Sequence, residues 1–114
     1  MPKRGEVWYA NLDPVKGDEI KKTRPVVVIS SDSIVGLRNK IIVPITSWKA
    51  EYSSLYWMIG IKPSRGNGLT KDSVAAASQV RTISIDRFIR KIGRLPEAKI
   101  REVVAAVALC IEYV

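Results

Sequence analysis

The sequence predicts a mainly β (α+β) fold: a small curled antiparallel sheet or barrel closed by a C-terminal amphipathic helix. Short runs of β-branched and aromatic residues recur down roughly the first eighty positions, bounded by Pro, Gly, Asp or Asn turn signals. Beyond Pro96 the apolar period lengthens to that of a helix. The chain has 114 residues, 46% of them hydrophobic and 26% charged. Surface scaling at that size buries about two-thirds of the unfolded chain's area, enough for one core without cross-links. A single domain over residues 1–114 is expected.

Each element has its own warrant. Glu6 to Leu12 carries strand-forming aromatics and ends at the turn signal Asp13-Pro14. Val15 to Thr23 is polar and charged, an exposed loop. Pro25 to Ser30 is a continuous β-branched run, the mark of a strand buried on both faces, with proline at its first position where no ladder donor is lost. Ser31 to Lys40 reads as a loop. Ile41 to Thr46 reads as a third strand, in which Pro44 argues for an edge or a bulge. Leu55 to Ile61 is a fourth strand and Ser73 to Val80 a fifth, its small Ala75, Ala76 and Ala77 letting neighbours approach. Ser84 to Phe88 suits a helical turn and Ile89 to Leu95 a last short strand. Pro96 suits the first position of the helix, and Ile100, Val103, Val104, Val107 and Ile111 form its apolar face. Cys110 lies beside that face as a packing residue. Trp8, Tyr9, Tyr56 and Trp57 fall within predicted strands and read as core or dimer contacts.

Composition excludes whole classes of chemistry. There is no histidine, and Cys110 is the only cysteine. One chain therefore has no zinc site of His and Cys ligands, no Ser-His-Asp triad, no Cys-His pair and no two-histidine ribonuclease mechanism. An intramolecular disulfide is excluded as well, as suits a reducing compartment. Lys and Arg number 19 against 11 Asp and Glu, a net charge of +8, which points to an anionic partner. The basic residues are dispersed from Lys3 to Arg101, so any cationic patch is assembled by folding. The longest nearly apolar stretch, Val103 to Ile111, is far short of the ~20 residues a bilayer crossing needs. The first residues lack the apolar region of a secretory signal. A cytoplasmic protein without a membrane partner is expected.

Five stretches carry a family resemblance: Arg4-Gly5-Glu6-Val7-Trp8, Asp13 to Glu19, Arg24-Pro25 through Ser30, Val43-Pro44-Ile45-Thr46, and Asp72-Ser73-Val74 through Gln79-Val80-Arg81-Thr82-Ile83. In this order and spacing they resemble the MazF/PemK toxins of type II toxin–antitoxin systems. The resemblance implies an SH3-like barrel and a homodimer that needs neither metal nor cofactor. It also implies sequence-specific cleavage of single-stranded RNA, through 2′-hydroxyl attack, to leave 2′,3′-cyclic phosphate and 5′-hydroxyl ends. A cognate acidic antitoxin would neutralise that activity. The family's functional arginine falls on Arg24, its threonine on Thr46, and its loop carboxylate on Glu19. One departure stands out: where the family often has a Gly-rich stretch before the arginine, this chain has Ile20-Lys21-Lys22-Thr23.

The residue types suit that chemistry. Without histidine, stabilisation of charge developing on the phosphorane is the largest available effect, and an arginine fork matches two phosphate oxygens. Thr46 either donates to a phosphate oxygen or bonds backbone at a strand end. Glu19 either accepts the 2′-hydroxyl proton or pairs with Lys21, Lys22 or Arg24. Lys16, Lys21, Lys22, Lys49 and Arg81 lie in or beside these segments as candidate RNA contacts. Trp48 either stacks a base or forms a half-buried rim, and Gln79 and Ser78 either read base edges or are satisfied within the sheet. Two other functions are compatible with the pattern: a non-catalytic toxin of the same fold that binds a protein target such as DNA gyrase, and a basic RNA-binding module.

Overall fold

The computed structural model describes residues 1–113. Seven strands run β1 Glu6–Asn11, β2 Thr23–Val28, β3 Asn39–Ser47, β4 Met58–Ile61, β5 Ser73–Ala76, β6 Arg81–Ser84 and β7 Phe88–Arg94, followed by the helix α1 Glu97–Cys110. Every pairing is antiparallel, in the order β4-β5-β3-β2-β1-β7, with β6 on β3. The expected mainly β class with a terminal helix is found. The sheet curls without closing, because no ladder joins β4 to β7. The segment between β4 and β5 spans that side instead: Arg94 donates its N–H to the Gly66 carbonyl at 2.9 Å. Gly93 permits the approach, since a Cβ there would lie 2.3 Å from the carbonyl carbon of Asn67.

Alternation along the central strands divides the interior into two cores. Val7, Val27, Val43 and Ile45 join Ile61, Leu69, Ala75 and Leu95 under the helical residues Ile100 and Val103. Ala10, Leu12, Val26, Val28, Ile42 and Ile83 form a second core on the opposite face, with Trp8, Ile20 and Phe88 packed against it. The run Val26-Val27-Val28 is thus buried on both faces, as its continuous β-branching predicts.

Three expectations need correction. Pro44 lies neither on an edge strand nor at a bulge; it pairs with Val26 in the sheet's most connected strand. It falls where β3 passes from one neighbour to another, since β6 pairs with β3 as far as Ile42 and β5 begins at Ile45. The single strand expected over Ser73 to Val80 ends at Ala76 for the same reason. A 3₁₀ turn, Ala77–Gln79, carries the chain from one half of β3 to the other, and β6 begins at Arg81. The fourth strand starts at Met58, because a 3₁₀ turn over Ala50–Ser54 and the bonds Leu55 N–H to Tyr52 and Met58 N–H to Leu55 hold Tyr56 and Trp57 in a turn. Their rings meet edge to face, and Tyr56 is exposed.

At the C-terminus, Pro96 precedes the helix with extended backbone, and its carbonyl accepts the first helical N–H groups from Lys99 and Ile100. Ile100, Val103 and Ala106 are the buried helical residues, with Val104 and Val107 packed beside them. Ile111 lies beyond the last turn and is exposed, while Cys110 is half-buried. Among the described residues no helix is long and apolar enough to cross a membrane.

Candidate phosphate-directed site

Arg24 and Thr46 belong to adjacent strands. The β2–β3 ladder runs from Val28–Ile42 to Val26–Pro44, and Arg24 and Thr46 each lie two residues past its last pair. By alternation both lie on the face of the second core, away from the helix. Both are half-buried, and Thr46 is flanked on its other side by Val74 of β5. This two-strand platform carries a guanidinium and a hydroxyl on one face of the sheet. The Nε of Arg24 donates to the Lys21 carbonyl at 3.3 Å, which steadies the base of the head group.

The loop between β1 and β2 borders this platform and is more constrained than its polar sequence predicts. Ile20 packs into the second core. Leu12 donates to the Lys22 carbonyl at 2.9 Å, and Lys22 donates to Oδ1 of Asp13 at 3.0 Å. Lys22 has φ 68°, a left-handed conformation that glycine adopts most cheaply. The departure from the Gly-rich pattern thus has two physical consequences: an apolar anchor at Ile20, and backbone strain at Lys22.

Side chains from late in the chain grip the same loop. Arg81 donates from Nη1 to the Leu12 carbonyl at 3.3 Å. Arg87 donates from Nη1 to the carbonyls of Asn11, at 3.1 Å, and Asp13. Gln79 accepts the Ile20 N–H at 2.7 Å and donates to the Asp18 carbonyl at 3.3 Å. Arg81 and Gln79, candidates for RNA contact, therefore hold protein backbone in this state. Arg87, Asp13 and Ile20 were not among the candidates. The turn carrying Arg87 is legible in sequence, but its partners lie more than seventy residues away.

Of the alternatives for Glu19, the structure does not form the ion pair. Oε1 of Glu19 accepts the Lys16 N–H at 2.6 Å, and the Glu19 N–H returns to the Lys16 carbonyl at 3.2 Å. Salt bridges among the described residues lie elsewhere: Arg38–Asp86, Lys91–Glu6, Lys99–Glu102 and Arg101–Glu97. Lys16, Lys21 and Lys22 are exposed around Arg24 and make the loop cationic.

Trp48 and Lys49 lie past the end of β3. The Trp48 indole lines a groove of about 710 Å³ with Ser73, Leu95, Pro96 and Lys99, on the side where the helix begins. Lys49 places its ammonium 6.0 Å from the centre of the Tyr52 ring. Both are set apart from the loop cluster. Ser78 is exposed. Among the described residues, no three His, Cys, Asp or Glu side chains come together as a metal ligand set.

The curled antiparallel sheet and its covering C-terminal helix define a small, mainly β protein with a cationic loop leading into Arg24. Residues 3–111 match the family described as the PemK-like, MazF-like toxin of type II toxin–antitoxin systems, and the chain belongs to that family. It is 32% identical over 115 aligned positions to endoribonuclease MazF9 of Mycobacterium tuberculosis, covering 96% of this chain and 95% of the relative. The fold is similar to MazF from Deinococcus radiodurans, with a TM-score of 0.80, 19% identity, and coverage of 97% of this chain and 96% of that one. It is also similar to a chain in the MazE–MazF structure from the same organism, with a TM-score of 0.75, 20% identity, and coverage of 99% and 98%.

Proposed function

We propose that this toxin, an endoribonuclease by family, cuts single-stranded RNA in a sequence-specific, metal-independent reaction that uses the substrate's own 2′-hydroxyl. The observation that carries the reading is that Arg24 and Thr46 lie on adjacent strands, each two residues past the last β2–β3 pair, with a lysine-rich loop leading into Arg24. The 2′-oxygen attacks the neighbouring phosphorus as its proton leaves. The bond to the 5′-oxygen then breaks, giving a 2′,3′-cyclic phosphate and a 5′-hydroxyl. Arg24 stabilises the negative charge that grows on the phosphoryl oxygens, a role its planar donor fork fits. Thr46 donates to one of those oxygens and fixes the orientation of the group. Glu19 keeps Oε1 on the Lys16 amide, which leaves Oε2 to take the 2′-hydroxyl proton. Lys16, Lys21 and Lys22 hold flanking phosphates. Trp48 and Lys49 extend the contact surface past β3.

Two partners follow from the same reading. Leu109, Ile111 and Tyr113, exposed at the end of α1, are apolar groups that a symmetric homodimer would cover. The MazE–MazF structure from D. radiodurans supports a protein partner, and the cationic loop suits an acidic antitoxin whose carboxylates take the place of RNA phosphates. The activity is tested by incubating the purified protein with mixed-sequence single-stranded RNA in EDTA. Discrete fragments with cyclic phosphate and 5′-hydroxyl ends are expected. Intact RNA overturns the reading and favours a toxin that acts by binding a protein.

A further inference from the structure

We propose that Gln79 is a positioning residue: its side-chain amide latches the β1–β2 loop and thereby places Glu19 beside the Arg24–Thr46 platform. This rests on the ribonuclease reading only for its catalytic consequence. The geometry is local and specific. Both polar ends of the amide are engaged, the oxygen by the Ile20 N–H at 2.7 Å and the nitrogen by the Asp18 carbonyl at 3.3 Å. The bonds bracket Glu19 on either side, much as a neighbouring strand would.

The latch has a firm base. Gln79 ends the 3₁₀ turn Ala77–Gln79, in which Ala77 is fully buried, its N–H bonded to the Trp57 carbonyl at 2.8 Å. Ile20, the residue latched, is itself seated against the second core. At the opposite end of the loop, Arg81 and Arg87 hold the carbonyls of Leu12, Asn11 and Asp13. The loop is thus fastened at both ends, and at the Glu19 end the fastening is the Gln79 amide. One N–H and one lone pair of the amide are committed in this way, so reading a base with those same groups would compete with loop closure.

The test is amide hydrogen exchange on the full-length protein, with Q79M and Q79E. Q79M keeps the shape and removes both bonds; about tenfold faster exchange at the Ile20 amide is expected, from the loss of a hydrogen bond. Trypsin cleavage after Lys16, Lys21 and Lys22 should accelerate by a similar factor, while amides of β2 and β3 stay protected. Q79E retains an acceptor for Ile20 and loses the donor to Asp18, so it should keep more of the protection. If Q79M fails to fold, Q79E carries the same readouts. On RNA, the latch variants should lose kcat with KM and the cleavage sequence little changed.

Unchanged exchange at Ile20 overturns the latch. Faster exchange with unchanged kcat reduces Gln79 to a structural residue, and altered cut sites at unchanged kcat assign it to base reading; either outcome overturns the positioning role. A wild-type protein that does not cut RNA overturns the ribonuclease reading, while the exchange measurement still decides the latch.

Discussion

Replacing Arg24 with alanine separates chemistry from folding because the two effects differ so widely in size. The guanidinium's local anchor is one hydrogen bond, from Nε to the Lys21 carbonyl at 3.3 Å. Losing it costs about 0.5–1 kcal/mol of stability. Against the 5–15 kcal/mol typical of small domains, the variant stays about 99.9% folded even at the low end. In the reaction, each donor withdrawn from a developing oxyanion costs about 2.7–4 kcal/mol, or ~10²–10³ in rate, and the fork supplies two. Arg24→Ala should therefore cut RNA at least several hundredfold more slowly (about two to three powers of ten) with an almost unchanged urea midpoint. Arg24→Lys keeps the charge but not the fork and should recover little. Thr46→Ala withdraws a single neutral donor and should cost about a hundredfold, the low end of that range and less than Arg24→Ala. Since both groups act on one phosphate, the double variant should fall short of the product of the single losses. The assay is single-turnover cleavage of a fluorophore-quencher RNA, with circular dichroism and urea melts on the same preparations. Arg24→Ala within threefold of the parent, or losing activity only in step with its folded fraction, would refute the assignment.

Glu6 gives a pH prediction. Burial pushes its carboxyl up, but hydrogen bonds from the Trp8 indole and the Lys3 amide, with Lys91 beside it, outweigh that and leave it below the ordinary carboxylate range. A depressed folded-state pKa means the contribution is present above the unfolded value and lost as pH falls through the folded one. Glu6→Gln should thus lower the urea midpoint at about pH 7 and converge on the parent toward pH 2; a constant difference across that range would contradict it. Gly93→Ala would force a Cβ to 2.5 Å from the Gly66 and Asn67 carbonyl oxygens, all of it backbone. A loss of about 1–3 kcal/mol, or roughly 5–15 °C in Tm, should appear in a thermal melt. Finally, kcat/KM on RNA should fall linearly with salt on a log–log plot, and neutralising each of Lys16, Lys21 and Lys22 should flatten the slope by about 0.7 if each holds a phosphate.

What the sequence discloses of this fold is what local chemistry determines. The run Val26-Val27-Val28 announces a doubly buried strand because β-branching is a property of the segment itself, and the period after Pro96 announces the helix in the same way. The break at Ala77–Gln79 is not legible, since it arises from β5 and β6 pairing with different halves of β3. Pro44 is explained by the same division. At the candidate site, the Arg24-Pro25 and Thr46 motifs are readable, and their place on adjacent strands follows once the β2–β3 pairing is known. Gln79 reads as a polar residue near a strand end; that its amide is committed to Asp18 and Ile20 depends on a contact across about sixty residues. Trp48, two residues from Thr46, escapes strand alternation because β3 has ended, so sequence proximity misstates its neighbours.

The order in which the chain is made bears on when it becomes harmful. Arg24 and Thr46 are synthesised early, in the first half, yet the residues that fasten their loop, Gln79, Arg81 and Arg87, come from the last third, and β1 gains its outer neighbour only with β7. Non-local pairings of this kind close slowly, after the intervening chain exists. A growing polypeptide that already bears the arginine and the threonine is therefore without the framework that aims them. The topology sets a delay between the synthesis of these two residues and the completion of the framework around them.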